Sequence, residues 1–309
     1  MLEERKNKKF LKKISLRAPA KINLFLKITG RRQDGYHNLE TYIQKIALYD
    51  QLDLEVTAQS GIQLSCPGST LPGDEKNIAF QAADLFFRRL GSKIDFSGIS
   101  IRLYKQIPVA AGLGGGSSDA AGVLLGMNVL SGGHCTVEEL AEMGLALGAD
   151  VPLFVYEKYA AVWARGVGEI ISEARPVSEF KVLLVNPGIS VSTKWAYETF
   201  ALTSCKKNFS LSNSKKEQKK CNRQFICSDG RFRPGRMLND LEKVTEDKYR
   251  VITEIKQKML DYQATGAMMS GSGPTVFGLF QKEHVPSARE CLASFKSNFE
   301  QVYLVDTIG

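Results

Sequence analysis

The segment Pro108–Asp119, which reads PVAAGLGGGSSD, holds the residues of this chain that are best suited to chemistry. Four glycines stand within five positions, at Gly112, Gly114, Gly115 and Gly116. Glycine lets the backbone adopt positive φ and bring its N–H groups close to a ligand. The two serines and Asp119 suit a helix N-terminus, where free N–H donors and the helix dipole attract anions. The segment therefore predicts an anion site, and we expect the anion to be a nucleotide phosphate.

The spacing of this loop differs from the two commonest phosphate motifs. A Walker A loop requires Lys followed by Ser or Thr after its last glycine, whereas Gly116 is followed by Ser117 and Ser118. A dinucleotide fingerprint requires Gly or Ala three places after Gly114, where Ser117 stands. The alternating residues 99–104 before the loop predict a strand, so a strand–loop–helix unit is expected. The alternative is a glycine-rich surface connection.

Lys21 and Asn23 are two residues apart in a segment predicted to be a strand, so their side chains leave the same face. The other face is aliphatic and is expected to be the core side. Lys21 could carry charge for a reaction, or it could lie on a solvated face of the sheet.

Asp150 follows a predicted helix end at Gly148 and precedes an apolar run. It could be a catalytic carboxylate, or the side chain of an Asx-turn. Phosphoryl transfer to an alcohol requires removal of the acceptor proton and stabilisation of negative charge on the transferred group. A lysine–aspartate pair near a phosphate loop supplies both, and Lys21 would keep the aspartate ionised.

Two other segments could bind a ligand. Tyr36 and His37 follow the tight turn at Asp34 and Gly35, and together they could stack on a base and hydrogen-bond to it. Otherwise they are surface aromatics that close the turn. Residues 269–277, MSGSGPTVF, form a second glycine loop that could wrap phosphate with its N–H groups or could be a plain hairpin turn.

The elements that must position these residues are mixed helices and strands without a regular βα repeat, which predicts an α+β fold. The expected strands cover residues 16–28, 99–104, 160–163, 181–185 and 275–280. The expected helices cover residues 77–90, 118–128, 136–147, 193–200 and 247–262. Thr136 with Glu139 forms a capping box for the third of these helices.

Composition is that of an ordinary globular protein, with 309 residues, 43% hydrophobic and 24% charged. The net charge is +8, but residues 1–13 hold six basic and two acidic residues and residues 204–236 hold ten and two. The basic character therefore lies in a tail and in a Lys-rich insert that we expect to be a mobile loop. Six cysteines without CxxC spacing argue against zinc, and no apolar run reaches the length of a membrane helix. We expect a cytosolic protein, with neither nucleic acid nor membrane as its partner.

Five segments in this order resemble the GHMP kinase superfamily, and the resemblance runs from about residue 17 to the C-terminus, interrupted by the insert. The segments are residues 19–24 (PAKINL), 34–37 (DGYH), 108–118, 148–152 (GADVP) and 270–277 (SGSGPTVF). The resemblance implies a two-domain α+β fold. The N-terminal ATP-binding domain would cover residues 14–175, and a ferredoxin-like C-terminal substrate domain would cover residues 176–309.

The resemblance also implies ATP-dependent phosphorylation of a small-molecule alcohol. Within the superfamily, the segments most resemble enzymes that phosphorylate the 2-hydroxyl of a cytidine diphosphate sugar-alcohol. That reaction belongs to the non-mevalonate route to isoprenoid precursors. Asp150 would be the base and Lys21 its charged partner. The residues that would hold the ATP phosphates are Pro108, Val109, Ala110, Ala111, Gly112, Leu113, Gly114, Gly115, Gly116, Ser117 and Ser118. Mg²⁺ is expected on general grounds, and Ser118 is one possible ligand.

For the substrate, the resemblance matches Tyr36 and His37 to a cytosine-recognising pair and places Asn23 among the substrate-binding residues. Tyr197 would supply a second stacking aromatic, with Trp195 as the alternative. Two other functions stay open, namely another GHMP small-molecule kinase of the homoserine or mevalonate type, and a non-catalytic nucleotide sensor. Tyr36–His37 argues against the first, and the presence of both Lys21 and Asp150 argues against the second.

Overall fold

The computed structural model describes residues 12–204 and 232–309. Its strands are β1 (Lys13–Arg31), β2 (His37–Val56), β3 (Gly61–Ser65), β4 (Gly98–Tyr104), β5 (Ala161–Gly166), β6 (Ile170–Ala174), β7 (Phe180–Asn186), β8 (Leu238–Asn239), β9 (Gly266–Met269), β10 (Val276–Gln281) and β11 (Gln301–Asp306). Its α-helices are α1 (Ile78–Leu90), α2 (Gly115–Leu130), α3 (Val137–Leu147), α4 (Val151–Val155), α5 (Thr193–Ser204), α6 (Glu242–Lys248), α7 (Val251–Asp261) and α8 (Val285–Lys296). Short 3₁₀ turns occupy Gly91–Lys93, Pro234–Arg236 and Lys282–His284.

The described chain divides into two compact units. The first unit comprises residues 12–19, Tyr49–Ile107 and Gly115–Glu157. The second unit comprises Ala20–Leu48, Pro108–Gly114 and the described part of Lys158–Gly309. No helix within residues 12–204 and 232–309 is long and apolar enough to cross a lipid bilayer.

In the first unit, β4 pairs with β3 in parallel and with the second half of β2 in antiparallel orientation. The helices α1, α2, α3 and α4 pack against one another. Local sequence sets their ends, because the Asn77 side chain caps α1 and Thr136 with Glu139 forms the predicted capping box of α3. Most residues of helix α2 are buried, which explains why apolar residues occur on every side of it.

In the second unit, the first half of β2 pairs with β5, β5 with β6, and β1 with the short strand β8. A separate antiparallel sheet has the strand order β11–β7–β10–β9. Helices α5, α6 and α7 lie between β7 and β9 in the chain, and α8 lies between β10 and β11. This βαββαβ order confirms the ferredoxin-like arrangement, whose core is formed by buried aliphatic and aromatic side chains such as Leu183, Ile255 and Phe280.

Two predicted helix boundaries are wrong. The helix expected over residues 247–262 is two helices, because the chain leaves helical geometry at Tyr249. The Tyr249 ring packs on Trp195, and the Lys248 ammonium lies over the same indole, so tertiary packing breaks the helix where the sequence has neither Gly nor Pro. Helix α2 begins at Gly115 rather than Ser118, since the last two glycines of the loop already have helical backbone.

Most of the basic insert, residues 205–231, and the tail, residues 1–11, lie outside the described residues, so their predicted mobility stays a prediction. The end of the insert is described and is not a loose loop. Phe232 is buried between Tyr42 and Phe180, and its N–H donates to the Glu179 carboxylate. The insert therefore returns to the core at Phe232, and any shortening of it must keep that residue.

Removal of the basic segments is expected to leave turnover within a few-fold of the intact protein. They lie outside every motif and lack the apolar periodicity needed to pack. The measurement is steady-state kinetics after deletion of residues 1–13 and, separately, replacement of residues 206–230 by a short Gly-Ser linker. Binding to heparin, tested at rising salt, is expected to weaken in both variants. Loss of activity in a folded linker variant would mean that the insert contributes to the site.

Candidate active site

Lys21 lies in a chain of buried polar groups in the second unit. It is only 4% exposed, and its Nζ donates to Asn23 Oδ1 over 2.6 Å. The Asn23 Nδ2 donates to Thr41 Oγ1 over 2.9 Å, and the Thr41 hydroxyl donates to the Phe25 carbonyl over 2.6 Å. The alternative of a solvated sheet face is therefore wrong. A buried ammonium requires hydrogen-bond partners that offset the loss of its hydration. A lysine held in this way is suited to a reaction that needs a positive charge in a fixed position.

The two glycine loops pack against each other within the second unit. Ser270 Oγ donates to the Gly112 carbonyl over 2.9 Å, and the Thr275 N–H donates to the Ala111 carbonyl over 3.3 Å. Gly112 has φ of 75°, and a Cβ there would overlap the Ser270 carbonyl oxygen. Only glycine fits this position. Because Ser270 and Thr275 bond to the first loop, the β9–β10 loop supports Pro108–Gly114 as well as forming a hairpin turn.

The same β9–β10 loop also reaches the lysine. A Cβ at Gly271, whose φ is 58°, would lie 3.2 Å from Asn23 Oδ1 and 3.4 Å from Lys21 Nζ. The buried Asn239 side chain holds this loop, because its Nδ2 donates to the carbonyls of Met269 and Gly271 over 2.8 and 2.7 Å. Sequence reasoning gave no role to Asn239, which is the second residue of the two-residue strand β8.

A charged cluster lies in the first unit at the start of α2. Lys105 Nζ donates to Asp119 Oδ2 over 2.6 Å and also to Asp50 Oδ2. Asp119 is therefore not the helix-starting residue that its position predicted, because it lies one turn inside α2 and binds a lysine instead. Sequence reasoning also missed Asp50, because β2 carries several other charged residues and nothing in its local sequence marks this one.

The cluster contains two buried carboxylates and one ammonium. Burial raises the pKa of Asp119 to about 8, Lys105 opposes the rise, and the Asp50 carboxylate adds to it. The buried Asp119 Oδ1 has no hydrogen-bond partner among the described residues, which also favours a protonated carboxyl group. The raised pKa of Asp119 favours the protonated form of this carboxyl group, which would reduce the negative charge beneath the start of α2.

Asp150 lies at the start of the short helix α4, which packs against α2 and α3. Its backbone has φ of −85° and ψ of −11°, and its half-buried side chain makes no capping hydrogen bond to the helix. Whether Asp150 is a catalytic carboxylate or a turn residue stays a prediction. Its neighbours in α4 are all buried, so the carboxylate is held on a rigid element.

The predicted aromatic residues meet within the second unit. The His37 ring stacks on Tyr197 with centroids 5.4 Å apart and an interplanar angle of 27°. Trp195, the alternative, packs on Tyr249 instead. Burial and, to a smaller extent, the Arg31 charge lower the pKa of His37, and its buried Nε2 has no partner within the described chain. Tyr36 is 67% exposed beside it. A neutral imidazole with an unused nitrogen, next to an exposed phenol, can bind a heteroaromatic ring.

Family models match both halves of the chain. The model for the GHMP kinases N terminal domain matches residues 77–158, and the model for the GHMP kinases C terminal domain matches residues 229–298. The N-terminal match contains α1–α4 with Asp150, and the C-terminal match contains the β9–β10 loop. Three of the five segments identified above, at residues 108–118, 148–152 and 270–277, lie within these matches.

A curated protein from Desulfotalea psychrophila, named 4-diphosphocytidyl-2-C-methyl-D-erythritol kinase, is 45% identical over 271 residues, which are 87% of this chain and 86% of that protein. A crystal structure of a 4-(cytidine 5'-diphospho)-2C-methyl-D-erythritol kinase is 29% identical, with a TM-score of 0.74 over 96% of this chain and all of that chain. A homoserine kinase from Cytophaga hutchinsonii shares the fold at 18% identity, with a TM-score of 0.71 over 97% of this chain and 96% of its own. Because the first relative is so similar over nearly its whole length, this chain belongs to the GHMP kinase family, among the enzymes named 4-diphosphocytidyl-2-C-methyl-D-erythritol kinase.

Proposed function

We propose that this small-molecule kinase transfers the γ-phosphoryl group of ATP to the 2-hydroxyl of 4-diphosphocytidyl-2-C-methyl-D-erythritol, a step of the non-mevalonate route to isoprenoid precursors. The observation that carries the proposal is Lys21, a buried ammonium bonded to Asn23 and adjacent to a glycine loop at Gly271. The similarity to curated kinases of that name supports the choice of substrate.

The loop Pro108–Ser118 is proposed to bind the ATP phosphates. Ala110, Gly112 and Gly114 have positive φ, a conformation that turns successive N–H groups toward one side of a loop. Helix α2 then presents its N-terminus directly after them. The bonds from Ser270 and Thr275 hold the loop in this shape without a ligand, so little entropy is lost when phosphate binds.

We propose that a magnesium ion would be held mainly by the phosphates of the nucleotide. The described residues contain no group of three or more His, Cys, Asp or Glu side chains that could hold a metal. Ser118 Oγ is buried and has no hydrogen-bond partner among the described residues, so it could supply one oxygen. Magnesium commonly binds through few protein oxygens and the substrate phosphates, and when bound it would neutralise charge on the β- and γ-phosphates.

Two residues are proposed to act on the reacting groups. Asp150 accepts the proton of the 2-hydroxyl as that oxygen attacks phosphorus, which is the work of a general base. Lys21 supplies positive charge to the transferred phosphoryl group, and the bonds through Asn23 and Thr41 keep its ammonium in one place. Asn23, predicted to contact substrate, would also position Lys21 through these bonds.

Recognition of the cytosine is assigned to Tyr36, His37 and Tyr197. The stack between His37 and Tyr197 supports Tyr197 over Trp195 as the second aromatic. Because the pKa of His37 is lowered, the imidazole is neutral at pH 7 and can offer either a donor or an acceptor to the base edge.

Replacement of Tyr36 by alanine is expected to raise the KM for the cytidine substrate about tenfold or more, since stacking on a base is worth roughly 1–3 kcal/mol. The KM for ATP should hardly change, and steady-state kinetics with each substrate varied in turn measures both. Tyr197→Ala should have a larger effect on the substrate KM than Trp195→Ala, and the reverse order would give the stacking role to Trp195. Equal effects on both substrates would indicate a folding defect.

The test of the proposed function is ADP release in a coupled assay with three acceptors in parallel. Turnover is expected with 4-diphosphocytidyl-2-C-methyl-D-erythritol and not with homoserine or mevalonate. Turnover of homoserine or mevalonate alone would make this chain a different GHMP kinase. Nucleotide binding without turnover of any of the three would favour a sensor.

Two broader proposals complete the assignment. The family matches support an ATP-binding domain within residues 14–175 and a substrate domain within residues 176–309, with the boundary still a prediction. The described cysteines Cys66, Cys135 and Cys291 are free thiols, which suits the cytoplasm as the place of action.

A further inference from the structure

Asp50 is the most completely buried carboxylate in the described chain and has no part in the chemistry proposed above. It is 0% exposed on β2, in the first unit. Its Oδ1 accepts the backbone N–H groups of Gln106 and Ile107 over 2.6 and 2.9 Å, and its Oδ2 accepts from Lys105 Nζ. A single side chain therefore fixes three consecutive residues that lead directly into Pro108.

Lys105 extends this attachment to the other end of the loop. It donates to Asp119, which lies four residues after the first residue of α2. The cluster also lies directly beneath that first residue, because a Cβ at Gly115 would be 2.9 Å from Ile107 and 3.3 Å from Lys105 Nζ. The residues before Pro108 and the helix after Gly114 are thus joined by the contact between Lys105 and Asp119, and Asp50 binds the same Lys105 ammonium.

We propose that Asp50 is a positioning residue for ATP binding: by holding the backbone of residues 106–107 and the Lys105 ammonium that binds Asp119 on α2, it fixes both ends of the loop Pro108–Gly114 before the nucleotide arrives. The proposal rests on the assignment of this loop to the ATP phosphates. The N–H donors of a loop bind an anion well only when they already point to one place before the anion binds. A loop whose two ends are held in position meets this condition. A buried ion pair adds little to the stability of a protein, but breaking it leaves an uncompensated charge. The paired groups are therefore held at a fixed distance from each other.

The test is Asp50→Asn, with Asp53→Asn on the same strand as the matched control. Asparagine keeps an acceptor for the backbone N–H groups but offers Lys105 an amide instead of a carboxylate. Calorimetry is expected to show an ATP Kd raised roughly ten- to a hundredfold in Asp50→Asn. The Kd for the cytidine substrate should stay within about twofold, and Asp53→Asn should bind both ligands normally. Hydrogen exchange of residues 108–118 without ligand should be faster in Asp50→Asn alone.

Several outcomes overturn the proposal. An ATP Kd within twofold of the parent in a folded Asp50→Asn variant would do so, as would equal weakening of both ligands. If Asp50→Asn does not fold, Lys105→Met decides, because it cuts the link to α2 and leaves the two backbone bonds of Asp50 in place. Weaker ATP binding with faster loop exchange in Lys105→Met supports positioning, whereas weaker binding with unchanged exchange means that Lys105 touches the nucleotide itself. Failure of the proposed function is distinct, since the parent protein would then turn over none of the cytidine substrate.

Discussion

Asparagine in place of Asp150 is expected to lower kcat by roughly two to four orders of magnitude, the usual contribution of a general base. The amide has nearly the same shape as the carboxylate but cannot take up the proton of the acceptor hydroxyl. The fold should persist, because the Asp150 side chain makes no capping bond to α4 and the residues around it are held by burial. Single-turnover kinetics at saturating ATP and acceptor measures the chemical step directly.

The matched control for Asp150→Asn is Asp84→Asn, which makes the same change of charge at a surface pair with Arg88 on α1. That variant should keep normal turnover, since exposed pairs of this kind contribute little. Lys21→Ala should lose turnover to a degree comparable with Asp150→Asn while its ATP Kd changes less. Near-normal turnover in Asp150→Asn would show that Asp150 is only a turn residue.

A methyl group at Gly112 is expected to raise the ATP Kd roughly ten- to a hundredfold. The change combines two costs, because the backbone there has φ of 75° and the new Cβ would overlap the Ser270 carbonyl oxygen. Both costs are relieved only if the two glycine loops move apart, which displaces the N–H groups of Pro108–Gly114. Calorimetric titration of ATP into Gly112→Ala measures the effect.

Gly133→Ala is the control for backbone strain alone. Gly133 has φ of 79°, close to that of Gly112, but a Cβ there would meet nothing within 4 Å. It should bind ATP normally and differ from the parent only by a small loss of thermal stability. Unchanged ATP affinity in a folded Gly112→Ala variant would make the loop a plain connector and remove it from the nucleotide site.

The sequence was most informative where local rules decide the structure. The Thr136 capping box and the aliphatic face of β1 follow from residue pattern, and the structure has both of them. The ferredoxin-like order of the second half was implied by the family resemblance, because residue pattern predicted only two of its four strands. The placement of Lys21 and Asn23 on one face of β1 also followed from the period of a strand. That this face is buried did not follow, because its covering comes from the β9–β10 loop, almost 250 residues later.

The features of the site that could not be predicted from the sequence are those formed by contacts between segments far apart in the chain. Asp50, Lys105 and Asp119 each look ordinary in their own segments, as a strand carboxylate, a strand-end lysine and a residue near a helix start. Their cluster exists only because β2, β4 and α2 meet in the fold. For the same reason Asn239 drew no prediction, since its bonds reach Met269 and Gly271 from another element.

The contact between Gly112 and Ser270 has a consequence for the time at which the protein becomes active during synthesis. The bond from Ser270 Oγ to the Gly112 carbonyl spans 158 residues of chain, and Thr275 reaches back to Ala111 in the same way. A ribosome makes the loop Pro108–Gly114 early, yet the groups that shape it emerge only when about seven-eighths of the chain has been translated. On the proposed assignment of this loop to the ATP phosphates, nascent chains would lack the shaped loop, and ATP would bind only to nearly complete molecules.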